Sequence, residues 1–98
     1  MGAFGNYAKQ LKYSIDFNHE RPIDVTASFN PDGKYRPNYF RYISDSCERY
    51  SFKIDSIKYV RNFAHYDLFC CSYTNYGVRH EIILKYYIAH SIWTTPIT

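Results

Sequence analysis

Four histidines, three cysteines and one embedded aspartate are the groups with which this chain could do covalent or metal chemistry. His19, His65, His80 and His90 are scattered, without His-Glu-x-x-His spacing, and no Cys-x-x-Cys occurs. A zinc site can be drawn from Cys70 or Cys71 with His80 and His90. Neighbouring residues of a strand point to opposite faces, so Cys70 and Cys71 cannot both turn toward one ion. One of them reads more simply as a small core residue and the other as a residue of the second face. Cys47 falls in a turn and could be an exposed nucleophile, but nothing in the pattern sets a base beside it. The four glycines are isolated, which excludes a glycine-rich phosphate loop, and no paired-carboxylate motif is present. Asp55 interrupts an apolar alternation. It is either a buried, hydrogen-bonded residue shaping a bend or a site residue, and the first reading is preferred. This inventory points away from an enzyme and calls for no catalytic residue, metal or cofactor.

Binding chemistry is better represented. Lys34, Arg36, Tyr39 and Arg41 alternate along one segment, with Tyr35 and Tyr42 close by. Arg49, Ser51 and Lys53 share the face opposite Tyr50, Phe52 and Ile54, and Lys58 and Arg61 follow. Cationic side chains mixed with exposed rings can hold a phosphate backbone while bases stack. The candidate binding residues are therefore Arg36, Tyr39, Arg41, Lys53, Lys58 and Arg61. The arginines and lysines would hold phosphates or acidic side chains, and Tyr39 would stack. A plainer reading accounts for the same charges, because a half-buried strand needs a polar outer face and Lys/Arg on an edge discourages aggregation. Tyr and Arg also dominate protein interfaces, so a protein-binding or inhibitory module, of the kind phages encode, is the rival. A third class is a self-associating protein that sequesters a small ligand between protomers.

The elements that must position these residues read as strands. Residues 23–29 alternate apolar and polar, which marks a half-buried strand, and Asn30-Pro31-Asp32-Gly33 has turn chemistry. Further strands are expected at 34–43, 49–54, 57–60, 68–73, 78–88 and around 92–93. Pro37 suggests an edge or a bulge. The break at Asp55-Ser56 suggests a bulge or a sharp bend. Residues 11–17 also alternate and follow a loose segment at 1–10. Asn18-His19-Glu20-Arg21-Pro22 reads as a polar break. The expected fold is all-β: a small antiparallel, strongly bent barrel, SH3-like or similar, of six to seven short strands in one domain spanning residues 1–98.

Bulk properties agree. The chain has 98 residues, including 12 Tyr, 7 Phe and 1 Trp, more rings than so small a core can take. The net charge is +3, and the excess lies wholly after residue 30. Such a mild bias permits an anionic partner without demanding one. Three cysteines, two of them adjacent, do not make a disulfide framework, so reduced thiols and a cytoplasmic location are expected. No apolar run approaches the ~20 residues of a membrane span, and no signal-peptide pattern is present at the N-terminus.

The segment Arg49-Tyr50-Ser51-Phe52-Lys53-Ile54-Asp55-Ser56-Ile57-Lys58-Tyr59-Val60-Arg61 resembles a block in an uncharacterised family of short proteins from Gram-positive bacteria, close to Arg-x-Tyr/Phe-x-Ile-Asp-x-Val-x-x-Val-Arg. Asp32-Gly33, Pro37, Ser72-Tyr73-Thr74, Gly77 and Trp93 extend the likeness over residues 23–94. Cys47-Glu48 stands where that family has Asp-Gly, and Ile92 where it has an arginine before the closing tryptophan. The resemblance implies a compact β fold and carries no activity with it.

Overall fold

A computed structural model describes residues 15–43 and 46–97. Eight strands follow in order: β1 (Glu20–Pro22), β2 (Asp24–Phe29), β3 (Tyr35–Ile43), β4 (Arg49–Lys53), β5 (Ser56–Asn62), β6 (Asp67–Asn75), β7 (Val78–Tyr87) and β8 (Ile92–Pro96). Every pairing is antiparallel. The strands form a five-stranded sheet, β1-β8-β7-β6-β5, and a three-stranded sheet, β2-β3-β4. The all-β expectation holds. The barrel does not close: the described strands leave two separate sheets with open edges, and they number eight rather than six or seven. No helix among the described residues is long and apolar enough to cross a membrane.

Local chemistry explains the hairpins. Asn75 and Val78 pair across a two-residue turn whose central residues, Tyr76 and Gly77, both have positive φ (51° and 74°). Such a turn carries the right-handed twist that a β-hairpin needs. At the β2–β3 turn, Gly33 has φ 86°, Asn30 N donates to Lys34 O at 2.7 Å, and Lys34 N donates to Asp32 Oδ1 at 3.2 Å. Asp16 organises the turn before β1: Asn18 N donates to its carboxylate at 3.0 Å, and His19 N and Glu20 N donate to its carbonyl, each at 3.0 Å. Residues 15–17 are thus a bend and a turn rather than a strand, whereas the expectations for residues 1–14 lie outside the described residues. The polar break at Glu20 is in fact β1, an edge strand on β8, whose terminal Pro22 needs no ladder donor.

The chain passes from one sheet to the other at Ile54-Asp55. Ile54 N donates to Asn38 O at 2.8 Å in the smaller sheet, and Asp55 N donates to Ser72 O at 2.8 Å in the larger. The expected sharp bend is this crossing. Asp55 is exposed rather than buried, and its carboxylate accepts the Thr74 hydroxyl at 2.8 Å. Between the sheets lies a core of Phe40, Ile54, Phe69, Cys71, Leu84 and Trp93. Tyr35 meets Phe69, Tyr86 and Trp93 edge-on, with centroids 5.2–6.1 Å apart, a geometry favoured by the ring quadrupoles.

Candidate functional site

Two bulges decide which side chains meet. In the β2–β3 ladder, Thr26 faces Tyr39 and Ala27 faces Pro37, so Asn38 is the extra residue. That insertion shifts the alternation of β3 by one position. Arg36 and Tyr39, three apart in sequence, therefore lie on the same face, followed by Arg41. Pro37 is tolerated because the β4 ladder begins only at Tyr39, which leaves that side of Pro37 without a strand neighbour. Asn38 turns its amide to the Ser28 hydroxyl.

The outer face of the three-stranded sheet is built row by row. Thr26, Tyr39 and Lys53 form one row, and Asp24, Arg41 and Ser51 the next. Ser28 with Arg36 and Ile43 with Arg49 flank them. Among the described residues, four cations and a single carboxylate, Asp24, occupy this face. Among the described residues, the ion pairs are His19–Asp16, Lys58–Glu81 and Lys85–Glu20, so none engages these four cations. Tyr39 is 45% exposed. A shallow groove of about 280 Å³ passes between Tyr39 and Arg41, with Asp24, Thr26 and Ser51 in its walls.

Four of the six candidate residues thus share one face: Arg36, Tyr39, Arg41 and Lys53. Lys58 and Arg61 do not join them. In β5 the ladder skips Lys58, with Ile57 facing Cys71 and Tyr59 facing Cys70. Lys58 pairs with Glu81, and the Arg61 guanidinium lies over the Tyr59 ring at 5.1 Å. Both belong to the outer face of the five-stranded sheet, on the far side of the core. Arg49 completes the cationic face, and its alternation with Ser51 and Lys53 was the signal that could have added it.

The same outer face of the five-stranded sheet carries a group that no pattern announced. Glu20 is 5% exposed. Its Oε1 accepts the Thr94 hydroxyl at 2.6 Å and the Tyr87 hydroxyl at 2.8 Å, and Oε2 lies 3.3 Å from Lys85 Nζ. Lys85 Nζ sits over the Tyr66 ring at 5.0 Å. Burial and the bond to Glu20 push the Tyr87 hydroxyl well above the usual tyrosine range. On the core side, burial and a 2.5 Å bond to Asp67 raise Tyr35 likewise. Asn62 donates to the other Asp67 oxygen at 2.7 Å. No buried side-chain nitrogen or oxygen among the described residues lacks a partner, so both clusters are complete in themselves.

Cys70 and Cys71 are buried on opposite faces of β6, and Cys47 is exposed. Burial, with neighbouring Cys70, pushes the Cys71 thiol up to about 12. His80 stacks on Tyr73 at 5.3 Å. Among the described residues no three of His, Cys, Asp and Glu gather as metal ligands.

A second concavity, of about 430 Å³, opens between the sheets. Phe40, Phe52, Tyr73 and Ile82 line it, and Arg21 lies at 5.0 Å over the Tyr42 ring beside it. Fold and surface together define an all-β domain of two antiparallel sheets, with a cationic, ring-bearing outer face on the three-stranded sheet. Comparison with protein-family models, curated proteins and solved structures gives no significant match.

Proposed function

We propose that this protein is a non-enzymatic binding module that takes single-stranded nucleic acid on the outer face of β2–β4. The observation that carries this reading is the groove between Tyr39 and Arg41, flanked by Arg36, Lys53 and Arg49. A single strand offers phosphates at regular intervals and unpaired bases between them. Cations with no ion-pair partner among the described residues can neutralise the phosphates and release counterions, while an exposed ring stacks a base whatever its identity. The rigid ladder holds these groups in rows before any ligand arrives, which lowers the entropy lost on binding. Amide chemical shifts followed during titration with a single-stranded oligonucleotide test the reading. Shifts should cluster at residues 24–28, 36–41 and 49–53. Shifts confined to Lys58, Arg61 and their neighbours would contradict it.

The cleft between the sheets favours a second reading, a protein-binding or inhibitory module. An apolar side chain of a protein partner would enter among Phe40, Phe52, Tyr73 and Ile82. Binding of that kind would respond weakly to salt and strongly to Phe52→Ala.

A further inference from the structure

Among the described residues, β7 is paired along one edge and open along most of the other. Along β6 it is paired from Val78 to Tyr86, but β8 pairs only with Lys85, Tyr86 and Tyr87. Beyond that the chain leaves: Thr95 Oγ1 caps Ile83 O at 2.8 Å, Pro96 has no N–H to offer, and Ile97 N turns to His19 O at 2.9 Å. Because Ile83 O faces the β8 side, alternation aims the backbone groups of Glu81 and Arg79 at the same open edge. No described strand pairs with them there.

The residues along this edge are Val78, Arg79, His80, Glu81 and Ile82, a pattern that complements its own reverse. We propose that a second copy of this chain covers the open edge, the two β7 strands running antiparallel about a two-fold axis at His80. In that register Arg79 lies opposite the partner's Glu81, and Val78 opposite the partner's Ile82. His80 meets the partner's His80. The Arg79–Glu81 pairs are the ones whose backbone groups point outward, so each exchanges both ladder hydrogen bonds. Val78, 57% exposed in the single chain, meets an apolar partner at the mouth of the cleft. Opposite charges directly across an antiparallel ladder stabilise it, and like charges there destabilise it. Any shift of register would set Arg79 or Glu81 against an apolar residue or its own kind. An isologous two-fold contact of this sort closes on itself as a dimer. The axis of an antiparallel pair stands normal to the sheet, so both cationic faces of the pair point the same way.

Sedimentation equilibrium on the full chain, across the micromolar to millimolar range, tests this. The unaltered chain should dimerise. Arg79→Glu or Glu81→Arg alone sets like charges opposite each other twice and should weaken the dimer roughly tenfold or more. The double reversal restores opposite charges and should restore dimerisation. Glu81→Pro removes an outward N–H without touching the β6 ladder and should give monomers. Lys58→Ala, which frees Glu81 of its intramolecular partner, should leave the dimer intact. Circular dichroism checks that each variant is folded, and if Glu81→Pro is not, the charge series decides. A chain monomeric throughout, single reversals without effect, or a double reversal that stays monomeric would each overturn the proposal.

Discussion

Tyr39 stands directly opposite Lys53 in the ladder between β3 and β4, and both point away from the core. A ring and a cation in one row can grip a base and its phosphate together. Tyr39→Ala should lower affinity for a single-stranded oligonucleotide by about 1–3 kcal/mol, whereas Tyr39→Phe, which keeps the ring face, should cost little. Fluorescence anisotropy measures both. Lys58→Ala and Arg61→Ala, on the far face, should leave the affinity within about twofold.

Removal of the Glu20 carboxylate should damage stability rather than binding. Glu20→Ala leaves Lys85 without its anion and the Tyr87 and Thr94 hydroxyls without their acceptor. Breaking a buried pair from one side costs about 3–5 kcal/mol. Urea denaturation followed by tryptophan fluorescence should show a lower midpoint with an unchanged slope.

Alkali should unfold the protein through its tyrosines. In the folded chain the hydroxyls of Tyr35 and Tyr87 titrate above their ordinary range. A pKa raised on folding stabilises the native state fully below the unfolded value, near 10, and this contribution is lost as pH rises past it. The urea midpoint should therefore fall from about pH 10 upward. Tyr35→Phe and Tyr87→Phe each remove one such group. Both variants should be less stable at neutral pH and should show a shallower alkaline fall.

Thiol reactivity should separate the three cysteines. Cys71 is buried, with its thiol pushed up to about 12, and Cys70 is buried beside it, whereas Cys47 is exposed. A thiolate is the reactive species, so the folded chain should react with a disulfide reagent at Cys47 alone and gain two further thiols in denaturant. Cys47→Ser should leave the native chain unreactive.

Much of the fold could be read from alternation and turns. The turn at Asn30-Pro31-Asp32-Gly33, the hairpin at Tyr76-Gly77 and the bend at Asp55 sit where local chemistry sets them, since each depends on residues adjacent in sequence. Glu20–Pro22 could not be read, because two charged residues followed by a proline become a strand only when β8 lies beside them. Closure into a barrel or separation into two sheets is likewise a long-range matter, decided by which edges pair. The site shows the same division. Cations and rings were visible at 36–41 and 49–53, but their common face depends on the extra residue at Asn38, which no periodicity reveals. Lys58 and Arg61 follow Lys53 closely in sequence, yet the crossing at Ile54-Asp55 carries them to the other sheet.

The salt dependence of oligonucleotide affinity tests the central claim most directly. With Arg36, Arg41, Arg49 and Lys53 on phosphates, the logarithm of the association constant should fall linearly with the logarithm of salt, with a slope near −3, about −0.7 per contact. Arg41→Ala and Lys53→Ala should each reduce that slope by about 0.7, and Arg61→Ala should not change it. An affinity indifferent to salt, or a slope that Arg61→Ala lowers and Arg41→Ala does not, would contradict the account.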